Sequence, residues 1–164
     1  MKQGIKARLL VLACATVLCV ALSACASGAS GNYTEEQRAN DAYMSQVNEI
    51  IVELDEGLDS FVDAVSRGDV VNMRTQADSA CASLDKLSQL EAPEALSEVH
   101  KKYVEGSQKL EEALDAYIQL YTEADQAGKS YDWSSYDSRM KEIQALYDSG
   151  VKLLEEGDKA AAEL

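Results

Sequence analysis

Apolar residues recur at steps of three and four along most of this chain. The series Met44, Val47, Ile51, Leu54, Leu58, Phe61 and Val65 runs without a miss, and Ile50 and Val62 widen it. That spacing keeps side chains on one face of a helix with 3.6 residues per turn. Thr34 and Gln37 stand where a capping box would put them, each side chain accepting from the other's backbone N–H. Arg67 falls in the last turn and Gly68 offers a left-handed stop. A first helix is predicted over about 35–67, roughly 50 Å long at 1.5 Å per residue.

Three more helices follow by the same reasoning. Asp69 is placed to cap a second, whose seam is Val70, Met73, Ala77, Ala80, Leu84 and Leu87. It is predicted to end near residue 91, because Pro93 disfavours helix at Ala92. Pro93 suits the first position of a third helix, over about 93–127, with Leu96, Val99, Tyr103, Leu110, Leu114, Tyr117, Leu120, Tyr121 and Ala124 on its seam. Gly128 closes it. A fourth helix, over about 133–157, carries Tyr136, Met140, Ile143, Tyr147, Gly150 and Leu154 and is capped by Asp132 or Ser134. Beyond Gly157 the tail DKAAAEL lacks a strong apolar face and is expected to fray. Short links make consecutive helices antiparallel neighbours. The expected fold is all-α: an antiparallel up-down-up-down four-helix bundle over residues 33–164.

The first 32 residues break this pattern. Lys2, Lys6 and Arg8 precede residues 9–22, LLVLACATVLCVAL, an apolar run shorter than the roughly 20 residues a membrane span needs. A basic start, a short apolar run and a small-residue exit make up a secretory signal. At its end stand Leu22, Ser23, Ala24 and Cys25. This stretch resembles the lipobox of bacterial lipoproteins. The resemblance covers residues 1–25 alone and implies a signal peptide at 1–24, cleaved after diacylglycerol is attached to the Cys25 thiol. It implies attachment to a membrane on the extracytoplasmic side, since two acyl chains hold durably where one does not. Residues 26–32, ASGASGN, would be a flexible tether with a reach of roughly 15 Å.

Charge narrows the functions. Beyond Cys25 the chain has 12 bases against 29 acids, a net charge of −17. Nucleic acid is not expected as a partner, because holding phosphates takes a Lys/Arg surface. With Cys14 and Cys19 in the leader and Cys25 lipidated, Cys81 is alone and has no disulfide partner. Its Ala-rich seam points to an inert apolar filler.

The sequence contains no G-x-S-x-G motif, no phosphate-cradling glycine loop and no H-E-x-x-H, so no enzyme activity, cofactor or metal site is expected. Asp55, Asp59 and Asp63 recur every fourth residue without a calcium-binding loop, which reads as a solvated face. Two candidate regions remain. Because the third helix is longer than the second, it is predicted to overshoot the first link by about 19 Å. That overhang would carry Tyr117, Tyr121, Tyr131, Trp133 and Tyr136 away from the membrane. Tyr and Trp suit contact with a protein or glycan partner. A weaker set, His100, Tyr103 and Ser107, could serve a carrier of a small ligand or metal held between the helices, if a cavity opens beside them.

Overall fold

A computed structural model describes residues 33–164. The leader, the lipobox at 22–25 and the tether lie outside the described residues. The described residues form four α-helices: α1 (Glu35–Arg67), α2 (Val70–Ser88), α3 (Ser97–Ala127) and α4 (Tyr136–Ala162). They build an all-α bundle, and among the described residues there is no strand. No helix among them is long and apolar enough to cross a membrane.

α1 has the predicted bounds because its caps are local. Gln37 N–H donates to Thr34 Oγ1 at 3.1 Å, and Thr34 N–H donates to Gln37 Oε1 at 3.0 Å. Gly68 takes the left-handed conformation at φ +68°, with its N–H on the Val65 carbonyl. One residue later Asp69 caps α2 by accepting from Asn72 N–H at 3.1 Å. That bond and a second from the Asn72 side chain hold the Asp69 carboxyl below the usual carboxylate range.

Helices adjacent in sequence are those that pack most closely. Gly57 of α1 lies against Ala80 of α2, and Gly106 of α3 against Gly150 of α4. The core draws on all four, with Val47 and Leu54, Met73, Leu84 and Leu87, Leu110 and Leu120, and Ile143 and Leu154 all buried. Register between α1 and α3 is parallel. Tyr43 sits beside His100, and the Phe61 ring meets Tyr117 edge-on with centroids 5.5 Å apart.

Three expectations change. α2 ends at Ser88, and α3 begins at Ser97 after a 3₁₀ turn, Glu94–Leu96. Pro93 is not the first residue of α3: it is extended at φ −57°, ψ 155°, and caps that turn. The link therefore descends along the bundle before α3 starts, and this removes most of the predicted overhang. From the Phe61–Tyr117 register, Gly68 is level with about Ala124, so α3 passes the first link by about one turn, about 5 Å. Finally, the tail does not fray, since α4 continues to Ala162.

The reason for the longer α4 lies across the interface. A side chain at Gly157 would have its Cβ 2.7 Å from Tyr103 Cε1, so the bare glycine lets the Tyr103 ring close over α4. The Tyr103 hydroxyl then donates to Asp158 Oδ1 at 2.7 Å, and Ala160 and Ala161 pack on the core. Gly106 and Gly150 make the same kind of approach. A Cβ on Gly150 would lie 2.9 Å from the Gly106 carbonyl oxygen and 2.7 Å from Leu110 Cγ.

Candidate functional site

The end of the bundle opposite the start of α1 is closed by a link that begins with a 3₁₀ turn, Gly128–Ser130. Asp132 does not cap α4. Its Oδ1 accepts from Ser134 N–H at 2.9 Å, turning the chain inside the link, and Ser135 precedes the helix without a side-chain cap. A bond from the Ser134 side chain, and then this backbone one, keep Asp132 below the usual carboxylate range.

This turn gathers three rings. Trp133 lies 4.9 Å from Tyr131 at 70° and 5.3 Å from Tyr136 at 53°, and the two tyrosines are 6.4 Å apart at 83°. Edge-to-face contacts of this kind hold rings in fixed orientations. Tyr131 and Tyr136 are half-buried and rest on the core, whereas Trp133 stays 42 % exposed. Arg139 pairs with Glu123 at 2.5 Å, tying α4 to the last turns of α3, and its guanidinium also lies beside Tyr131.

The other two residues of the expected aromatic group belong elsewhere. Tyr117 is 3 % exposed and meets Phe61 edge-on, so it is a core residue and not part of an outer surface. Its hydroxyl is buried without a hydrogen-bond partner, near those of Tyr121 and Tyr136, and burial raises it above the ordinary tyrosine value. Tyr121 is half-buried, with its hydroxyl against Gly68. Sequence periodicity placed all five aromatics together because it assumed the longer overhang.

The weaker candidates face different neighbours. His100 Nδ1 is 3.0 Å from the Tyr43 hydroxyl, and burial holds its imidazole below the ordinary value. Tyr103 is spent on Asp158. Ser107 is fully buried, and its Oγ has no partner. Two partners of this network, Tyr43 and Asp158, were missed. Tyr43 stands one residue before Met44, where the apolar series starts, and Asp158 lies in a tail with no apolar signal.

An apolar cavity of about 30 Å³ lies between α1, α3 and α4, lined by Phe61, Val65, Leu114, Tyr117, Ile143 and Tyr147 among others. It has room for about one water-sized group. Cys81 is half-buried, and burial, reinforced by Glu111, Asp115, Asp78 and Asp85, pushes its thiol up to about 11, which disfavours the reactive thiolate. Among the described residues no group of three or more His, Cys, Asp or Glu is arranged to hold a metal. On the α1 face Asp59 and Asp63 are exposed, and Asp55 is half-buried. Burial and then Asp59 raise Asp55, while Asp63 pairs with Arg67.

Comparison with known proteins gave no match to a family model, a curated protein or a solved structure.

Proposed function

We propose that this chain is a non-catalytic lipoprotein, anchored through diacylglycerol on Cys25 at the extracytoplasmic side of a membrane. In this reading its bundle presents the Tyr131–Trp133–Tyr136 tip to a protein or glycan partner. The observation that carries it is Trp133, exposed at 42 % and braced by two half-buried tyrosines, at the end away from the start of α1. A large ring held in one orientation loses little freedom when a partner covers it. Structure alone does not require the link to be this aromatic, since two residues suffice to join α1 to α2.

A carrier is less well supported. Its candidate side chains point to separate neighbours, and none of His100, Tyr103 and Ser107 lines the apolar cavity.

Crosslinking and pull-down from whole cells, with the anchored protein beside Trp133→Ala, tests the tip. Loss of a wild-type partner in the variant is expected, and an unchanged set of partners rejects the tip reading. Cys25→Ala should abolish fatty-acid labelling and release the protein from membranes. Continued labelling would refute the anchor.

A further inference from the structure

At the opposite end of the bundle α1 enters the core only at Tyr43, with Met44 packed partly against it. Residues 33–42 are exposed except for half-buried Asn40, and Tyr43, at 2 % exposure, is the first buried residue of the helix. Pairing of Gly57 with Ala80 puts Ser88, the last residue of α2, level with about Glu49, so α2 stops short of Tyr43. Tyr43 is braced instead by α3. Its hydroxyl lies 3.0 Å from His100 Nδ1, with the rings 6.0 Å apart and nearly perpendicular. One turn earlier, the Asn40 side-chain oxygen is buried without a partner, so nothing polar reinforces the contact there.

This hydrogen bond depends on the proton count of the imidazole. A neutral ring protonated on Nε2 accepts the phenol hydrogen at Nδ1, whereas an imidazolium has only donors. Once protonated, Nδ1 can only give a hydrogen to the Tyr43 oxygen, and the Tyr43 hydrogen loses that acceptor in a part-buried site. The surroundings do not compensate the new charge. On the same helix stands Tyr103, whose hydroxyl is committed to Asp158 of α4, with Glu155 behind it. From α1 the facing group is Tyr43 itself, which also presses on Tyr103. Asp158, the carboxylate bonded into this cluster, engages Tyr103 and not the imidazole.

We propose that the first turns of α1, residues 35–46, form a strap whose hold on the bundle is strengthened by the hydrogen that Tyr43 gives His100 and loosened when His100 takes up a proton. Burial disfavours that proton, so the latch is fully present above the unfolded imidazole value of about 6.5 and is lost as pH falls through the folded one. Release adds the strap to the tether. For a chain anchored at Cys25, which rests on the function proposed above, the bundle would then stand further from the lipid in acid.

Hydrogen exchange on the full chain in detergent micelles tests this without reference to anchor or partner. Between about pH 7.5 and about pH 5, protection of amides 39–46, corrected for intrinsic rates, is expected to fall at least about fivefold, while α3 keeps its own. His100→Gln should abolish that pH dependence. Since His100 is the single histidine of the sequence, its NMR titration is read directly, and its midpoint should match that of strap opening. Constant protection in the wild type overturns the proposal, as does the same acid-induced loss in His100→Gln. If His100→Gln leaves the strap open at both pH values, the wild-type midpoints decide. A disagreement of more than about one pH unit rejects the latch, and coincidence supports it.

Discussion

The two hairpins of this bundle are closed by different means. α1 and α2 meet through Gly57 and Ala80, where an added Cβ would still find 3.3 Å, and two residues join them. α3 and α4 interlock through three glycines at which a Cβ would come within 2.7–2.8 Å of a neighbour, yet their link is longer and carries two rings packed on a third at the start of α4. The first hairpin is economical at its link and ordinary at its interface. In the second, tight packing fixes the helices while the link carries surface that packing does not demand. That excess of aromatic surface is what supports the proposed partner site there.

The sharpest way to break this comparison is Gly150→Ala. Its Cβ would meet the Gly106 carbonyl, a backbone atom that cannot swing aside, so a net loss of about 2 kcal/mol is expected in denaturant melts. A better helix former at the same position returns at most about 1 kcal/mol. Were Gly150→Ala neutral, the interlock would be looser than described.

Tyr103→Phe should cost about 1–2 kcal/mol near neutral pH, by taking the hydroxyl from Asp158 and leaving its carboxylate without that donor. Burial already holds Asp158 above its ordinary value, so its contribution is present below about pH 3.9 and lost as pH rises through the folded value. Removing a bond that lowers this value raises it further. The deficit of Tyr103→Phe should therefore shrink on acidification toward pH of about 4, in melts compared across that range.

Asp69→Ala probes the short link and should cost about 1 kcal/mol, the usual worth of an N-cap, in the same melts. Gly57→Ala should stay within about 0.5 kcal/mol of the wild type, because the propensity gain offsets the squeeze against Ala80. A large loss there would erase the contrast between the two interfaces.

Legibility in the sequence followed the range of the forces involved. The first helix was readable to the residue, because Thr34 with Gln37 and Gly68 with Asp69 act within one turn of chain. The α2–α3 link was not. A proline before a helix fits both the first helical position and an extended entry, and only packing of Leu90, Ala92 and Leu96 on the core distinguishes them. Aromatic residues at helical spacing were visible, but their division into a buried Tyr117, a half-buried Tyr121 and a surface group around Trp133 depended on how far α3 extends past Gly68.

What the sequence alone determined is the number of helices, their amphipathic faces and most of their caps, because these arise from periodicity and from side chains that bond their own backbone. Tertiary structure decided what the interior glycines mean. Gly157 reads locally as a helix stop, yet the Tyr103 ring that fills its place and the Asp158 bond that follows carry α4 on to Ala162. It also decided that His100 meets Tyr43, 57 residues away in sequence. Residues distant in sequence are brought together by the register of packed helices, and no local pattern encodes that register.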